Sequence, residues 1–329
     1  MKTPAFLQID HADPAVLRAE LIDGLCAETA NIAPKHFYDA LGARLFSAIT
    51  ELPEYYPTRT EAAIFARHGE AMAAAVRDIG GASTWVDLGA GNCEKAARLF
   101  DLFGVKRYAA VDISVEYLAH ALEHLQRRHP SMDLLGIGMD FSRQIALPLE
   151  CGDGPRLIFY PGSSIGNFDP AESLRFLLQA HQAAQGGALL IGVDLVKPAD
   201  ILEAAYDDPL GVTAAFNRNL LLHVNRLIGS DFRLADWRHV AHYNGPASRI
   251  EMHLETVRQS TVRWVGGERR FAMGQRIHTE NSYKWRIADF AKLLARAGFT
   301  GVRHWTDERE WFAVFLAGTL NPAAGTSAN

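Results

Sequence analysis

Apolar and polar positions change their spacing several times along this chain, and each change predicts an element. Leu17, Leu21 and Leu25 recur four apart and predict a helix over residues 14–27. Thr58-Arg59-Thr60-Glu61 has capping-box spacing, in which the threonine and the glutamate each satisfy a free backbone donor. A second helix is therefore expected to start near Thr58. From Ser83 onward, short apolar runs alternate with longer amphipathic stretches. The runs at 84–88, 108–112, 134–138, 156–160 and 188–195 predict five strands. Helices are predicted between them: one ending near Phe103, one over 115–128, and one opened by Asp169-Pro170-Ala171-Glu172. There a cap residue, a first-turn proline and an acid three residues after the cap start a helix that Gly186-Gly187 ends.

Strands alternating with helices predict a parallel sheet covered on both faces. The rhythm breaks over 198–284. Residues 201–229 read as helical, and 249–255 alternate as a half-buried antiparallel strand does. Runs at 261–265 and 270–273 flank Gly266-Gly267, a hairpin signal. The first pattern then resumes, with a helix over 287–297 stopped by Gly298 and two strands near 302–305 and 311–317. Residues 319–329 are small and polar, and a flexible tail is expected there.

Composition narrows the class. Of 329 residues 48% are hydrophobic, enough to bury the core of one large domain or two modest ones. A net charge of −5 with only two short arginine pairs argues against nucleic acid as a partner. Cys26, Cys93 and Cys151 are far apart and never in a CxxC pair, so neither a disulfide framework nor a cysteine zinc site is expected. No stretch approaches the roughly 18 uninterrupted apolar residues of a membrane span. The first residues also lack the apolar run of a signal peptide. A cytoplasmic chain with no membrane partner is the expectation.

Asp87-Leu88-Gly89-Ala90-Gly91-Asn92 lies where the first strand of the alternating region meets its helix. Glycine there permits a tight turn and close backbone approach to a ligand, and nucleotide cofactors bind at this end of an open α/β sheet. A dinucleotide fingerprint would have a small residue where this chain has Glu94, and a pyrophosphate would meet that acid close to a helix N-terminus. S-adenosylmethionine has no phosphate, and it carries a sulfonium and an amino group that suit an acidic loop. An ordinary strand-to-helix turn is the plain alternative. Asp112 ends the second strand about twenty residues on, where a carboxylate accepts ribose hydroxyls; it could instead cap the next helix, although Ser114 is placed for that. Asp140-Phe141 follows the third strand, with an acceptor for an adenine amino group and a ring to pack on the base. Together these predict an α/β fold of the class I S-adenosylmethionine methyltransferase type, Rossmann-like with a seven-stranded sheet, over 60–197 and 286–318. An inserted α+β substrate-binding domain is expected over 1–59 and 198–285.

Longer motifs point further. Pro34-Lys35-His36-Phe37-Tyr38-Asp39, Leu52-Pro53-Glu54-Tyr55-Tyr56-Pro57-Thr58-Arg59 and Gly162-Ser163-Ser164-Ile165-Gly166-Asn167 lie outside the generic cofactor pattern. So do Ala205-Tyr206-Asp207-Asp208, the run Gly211–Asn217, Arg249-Ile250-Glu251-Met252 and Thr279-Glu280-Asn281-Ser282. In these the chain resembles the histidine Nα-methyltransferases of ergothioneine biosynthesis, over nearly its whole length. The resemblance implies three successive methylations of the histidine α-amine, giving hercynine and S-adenosylhomocysteine. It implies cofactor contacts at Gly89, Lys95, Asp112, Asp140 and Phe141. It implies a histidine pocket of Tyr38, Tyr55, Asn167, Tyr206, Met252, Glu280 and Ser282, in which Glu280 and Ser282 hold the imidazole while Asn167 and Tyr206 hold the amino-acid head.

Read by themselves, some of these residues say something and others little. Glu280 and Ser282 are two apart and point to one side of an extended segment. A carboxylate beside a hydroxyl can engage both imidazole nitrogens and choose the tautomer. Asn167 closes a glycine-containing loop after the fourth strand, where it could also cap a helix. Tyr55-Tyr56 could be plain core aromatics, and Tyr206 is uninformative alone. His120 and His124 have zinc-pair spacing but no evident third ligand, so a solvated helix face is expected and no metal. The methyl group arrives activated on sulfur, so little acid–base chemistry is required; no catalytic base stands out, and a water held by Tyr38 is one candidate proton acceptor. A monomer acting on L-histidine is expected. The alternatives are a related N-methyltransferase for another amino acid or aromatic amine, an NAD-dependent oxidoreductase on the same fold, and a silent S-adenosylmethionine-binding protein.

Overall fold

The computed structural model describes residues 2–9 and 13–319. Of these, 2–9, 59–195 and 285–319 form one compact unit, and 13–58 with 196–284 form the other.

The first unit is built on β1 (Ala5–Gln8), β2 (Thr84–Leu88), β3 (Arg107–Asp112), β4 (Asp133–Gly138), β5 (Arg156–Tyr160) and β6 (Ala188–Asp194). Helices lead from β2 to β3, from β3 to β4 and from β5 to β6, whereas β4 reaches β5 with only the 3-10 turn Leu149–Cys151 between them. Between β3 and β4 runs Val115–Arg128, and between β5 and β6 runs Pro170–Ala183, which carries the expected capping box of Asp169 and Glu172. The two closing strands of this unit, Thr300–Thr306 and Phe312–Gly318, are antiparallel; the latter pairs with β6. Every position of β2 is buried, because Val86 and Leu88 enter the core on one face and Trp85 that on the other.

The sheet has eight strands, not seven, because β1 lies parallel to β4 with Ala5 opposite Leu135. The first residues therefore belong to this unit and not to the substrate-binding one; a four-residue run is too short for periodicity to reveal it. Thr319 is tied down, its N–H and hydroxyl both donating to Gly187 O at 3.0 Å, so it is no part of a tail. The rest of the expected tail, 320–329, lies outside the described residues.

The chain runs from β2 outward through β3 to β4, then returns to place β5 on the other side of β2. That reversal opens a crevice beyond the carboxyl ends of β2 and β5, the site where open α/β sheets take ligands.

In the second unit, a three-stranded antiparallel sheet is formed by β7 (Trp237–Asn244), β8 (Arg249–Thr256) and β11 (Arg276–Tyr283), with β8 in the middle. A separate hairpin joins β9 (Ser260–Trp264) to β10 (Gly267–Phe271). The helices are α1 (Pro14–Cys26), α2 (Ala40–Ile49), α3 (Ala199–Ala204) and α4 (Val212–Ile228). The single helical stretch expected over 201–229 is in fact two, since Gly211 adopts φ +75° between them.

Candidate active site

In the first unit, Gly89 follows β2 with φ +75°, and a Cβ there would come within 3.5 Å of the Phe141 ring. The expected cofactor residues Gly89 and Phe141 are thus brought together, and Phe141 also stands edge-on to Tyr160. Asp112 accepts the Gly91 N–H on one oxygen at 2.9 Å and the Ser114 N–H on the other at 2.8 Å. It therefore holds the glycine turn in shape and still has acceptor capacity for a hydroxyl. Ser114 occupies the cap position of the next helix without a side-chain cap bond. Burial raises the Asp112 carboxyl above its ordinary range, and bonds from Ser114, Gly91 and Ile113 pull it back. Asp140 accepts from the Ser142 N–H at 3.2 Å.

Sequence reasoning missed Glu61. The capping box that suggested a helix start near Thr58 does not form, because the helix already begins at Tyr56 and runs to Asp78. Glu61 is instead 1% exposed, and accepts from Lys95 Nζ and from the Gly162 N–H, each at 2.8 Å. One carboxylate so ties the short helix after β2, Glu94–Ala97, to the loop after β5 across the strand-order reversal. Gly192 makes room for it: a Cβ there would lie 2.1 Å from Glu61 Oε1. Glu61→Gln keeps an acceptor for Gly162 but loses the charge facing Lys95. It is expected to cost about 1.5–3 kcal/mol of stability, read as a lower urea midpoint, together with weaker cofactor binding by calorimetry.

Two non-glycine residues near these loops, Cys93 (φ 61°) and Ser163 (φ 62°), adopt left-handed backbone. Such strain persists only where surrounding structure enforces it. At Ser163 the hydroxyl accepts the Asp194 N–H at 2.8 Å. Asn167 ends the short 3-10 turn Ser164–Asn167 and belongs to this unit, unlike the other expected acceptor residues.

Burial raises Asp87 to about 7, opposed by the Tyr108 hydroxyl at 2.7 Å and by Lys95, and aided by Asp112 and Glu61. With the folded value above the ordinary 3.8, the folded state holds the proton more tightly. That stabilisation is full below about pH 4 and is lost as pH rises through about 7. Asp87→Asn is expected to abolish this component, so the ligand-free variant should lose less Tm than the wild type between pH 5 and 7. An identical pH slope in scanning calorimetry would contradict the assignment. Asp87, Asp112 and Glu61 set three acidic groups against one lysine here. That balance suits a cationic, phosphate-free ligand with hydroxyls, as S-adenosylmethionine is.

In the second unit, β11 makes a bulge. His278 pairs with His253, but Glu280 pairs with the adjacent Met252, leaving Thr279 as the extra residue. The Thr279 hydroxyl donates to Met252 O at 3.1 Å. The bulge changes which face the strand's later side chains take. Glu280 and Ser282 therefore project from the face of Met252 and Ile250, while His278 projects from the opposite one. Ser282 Oγ lies 2.7 Å from Tyr206 OH, and Lys284 Nζ donates to both, at 2.8 and 3.1 Å. Burial raises Glu280 to about 7, and Lys284 opposes the rise. Lys284, 3% exposed, is a second residue that sequence reasoning missed; nothing in the local pattern distinguishes it from a surface lysine.

Aromatic rings continue the cluster. Tyr55 meets Tyr206 edge-on at 6.2 Å, Phe46 meets Tyr55 at 6.2 Å, and Tyr38 meets Phe46 at 5.8 Å. Tyr38, Tyr55, Tyr206, Met252, Glu280 and Ser282 thus gather in one region of this unit. His239 fixes Tyr206 from behind, with its Nε2 2.8 Å from Tyr206 O and its Nδ1 2.8 Å from Asn217 Nδ2. His120 contacts the Glu116 carbonyl on its own helix, as a solvated helix face allows. No described helix is long and apolar enough to cross a membrane.

A family model described as histidine-specific, SAM-dependent methyltransferase matches residues 17–319. The chain is 40% identical over 320 residues to a histidine N-alpha-methyltransferase of Mycolicibacterium smegmatis, covering 95% of this chain and 97% of that one. It is 38% identical to the histidine N-alpha-methyltransferase of Mycobacterium tuberculosis, covering 94% and 96%. An L-tryptophan methyltransferase of Psilocybe serbica is 25% identical, with 91% of each chain covered.

Proposed function

Because the chain belongs to the histidine-specific, S-adenosylmethionine-dependent methyltransferase family, we propose that it methylates the α-amine of L-histidine. Three successive rounds would give Nα,Nα,Nα-trimethylhistidine, the betaine that opens ergothioneine biosynthesis. The observation that carries this reading is the pair Glu280 and Ser282 on one face of β11, linked through Lys284 to Tyr206. A carboxylate and a hydroxyl at that spacing match the two nitrogens of an imidazole.

In this reading Gly89, Asp112, Asp140 and Phe141 hold the adenosine half of the cofactor. Lys95, paired with Glu61, sets the loop beside it. S-adenosylmethionine, when bound, supplies a methyl carbon activated on a sulfonium sulfur, which needs no metal Lewis acid. Glu280 and Ser282 orient the imidazole, Tyr206 holds the amino-acid head, and Tyr38, Tyr55 and Met252 shape the wall and exclude water; Asn167 is proposed as a head-group contact from the loop after β5. Holding two reactants in line is worth about 7–11 kcal/mol. The α-ammonium must lose a proton before each round, and a water bonded to the Tyr38 hydroxyl is the proposed acceptor. We further infer a cytoplasmic monomer with no nucleic-acid or membrane partner.

The test is mass spectrometry of untagged protein incubated with S-adenosylmethionine and a panel of free amino acids. Histidine bearing one, two and three added methyl groups is expected. Methylated tryptophan in place of methylated histidine would overturn the substrate. Asn167→Ala tests the head-group role: kcat/KM for histidine should fall about tenfold or more, with cofactor affinity within about twofold. Equal loss of both would place Asn167 on the cofactor or in the fold.

A further inference from the structure

The sheet face opposite Met252 and Glu280 carries a second cluster of titratable side chains. His242 and Glu251 are direct cross-strand partners on β7 and β8, and His253 lies two residues beyond Glu251 on the same face. Glu251 Oε2 is 3.6 Å from His242 Nε2 and 3.8 Å from His253 Nε2. One ligand atom from each of the three side chains lies within 4.8 Å of the other two. These separations are too long for hydrogen bonds. They approach the roughly 3.3–3.6 Å between neighbouring ligand atoms around a tetrahedral ion with bonds of about 2.0–2.2 Å.

The surroundings leave this gap intact. Glu251 Oε1 is taken by Asn244 Nδ2 at 2.9 Å and Arg249 Nε at 2.8 Å, which orients the carboxylate and leaves Oε2 facing the imidazoles. The His242 and His253 rings stack at 5.5 Å with planes 16° apart. His278 packs edge-on against His253, and its Nε2 contacts Asn281 Oδ1 at 2.9 Å. Glu251 and His253 are buried, whereas His242 is half-buried and gives solvent a way in.

We propose that His242, Glu251 and His253 form a binding site for one zinc-like divalent cation that clasps β7 to β8, with water completing the coordination. Two imidazole nitrogens and one carboxylate oxygen suit zinc and its transition-metal neighbours; calcium and magnesium take oxygen ligands almost throughout. The cation is structural. It sits on the reverse of the strand that carries Met252, and the proposed methyl transfer does not use it. Binding only to folded protein, it raises Tm with free metal concentration.

The test uses untagged full-length protein stripped with chelator, and cobalt(II) as a visible probe. Wild type is expected to bind one equivalent saturably, with the absorption of four-coordinate cobalt, and zinc should displace it. Tm should rise by several degrees with added zinc. His242→Ala, at a half-exposed position where folding is least at risk, should weaken cobalt at least tenfold and abolish the Tm rise. His120→Ala should leave both unchanged. S-adenosylhomocysteine binding verifies that each variant is folded. Absence of a saturable equivalent in wild type, or unchanged cobalt affinity in His242→Ala, overturns the proposal.

Discussion

Glu280→Met combined with Ser282→Val is expected to lower kcat/KM for histidine by roughly 30- to 2000-fold. That corresponds to about 2–4.5 kcal/mol for one hydrogen bond to a charged group and one to a hydroxyl. Turnover of phenylalanine should rise relative to histidine, because an apolar ring no longer strands a buried carboxylate. Both side chains project from the Met252 face of β11, so the two substitutions act on one place. Ser282→Val also removes an acceptor from the buried Lys284 ammonium, so some loss of Tm is expected as well. Cofactor affinity separates the two effects, since the proposed cofactor residues Asp112, Asp140 and Phe141 lie in the other unit. The measurement is competition between histidine, phenylalanine and tryptophan at equal concentration, with methylated products counted by mass. A double variant that binds cofactor normally and keeps the parent's preference for histidine would place selectivity elsewhere.

Asp112→Ala is expected to weaken S-adenosylmethionine binding roughly 10- to 150-fold, from the loss of a charged acceptor worth about 1.5–3 kcal/mol. The same carboxylate bonds the Gly91 and Ser114 N–H groups, so the substitution also loosens the glycine turn. Asp112→Asn keeps one carbonyl acceptor and should fall between wild type and alanine. Calorimetry of the folded variants decides: unchanged affinity in Asp112→Ala would remove Asp112 from the cofactor site.

What the sequence determined by itself was local or periodic. The alternation of apolar runs with capped helices located β2 to β6, because strands buried on both faces and helices buried on one leave a regular pattern of hydrophobic positions. The places of Gly89, Asp112 and Phe141 at the ends of β2, β3 and β4 were legible from order along the chain, and ligands of this fold class bind at such strand ends. The longer motifs carried the family. Tertiary structure alone decided the rest, since those features depend on residues far apart in the chain. Glu61 reads as a helix cap until the reversal of strand order brings Lys95 and Gly162 to it. Lys284 reads as a surface lysine until strand pairing buries it beside Ser282 and Tyr206. β1 is four residues long, and only pairing with β4 makes it a strand. The bulge at Thr279 is decided by register, and register alone sends Glu280 to one face of the sheet and His278 to the other. The gathering of His242, Glu251 and His253 has the same origin. Side chains on adjacent strands become neighbours through hydrogen bonds between backbones, and a single chain read in order has no period that announces those bonds.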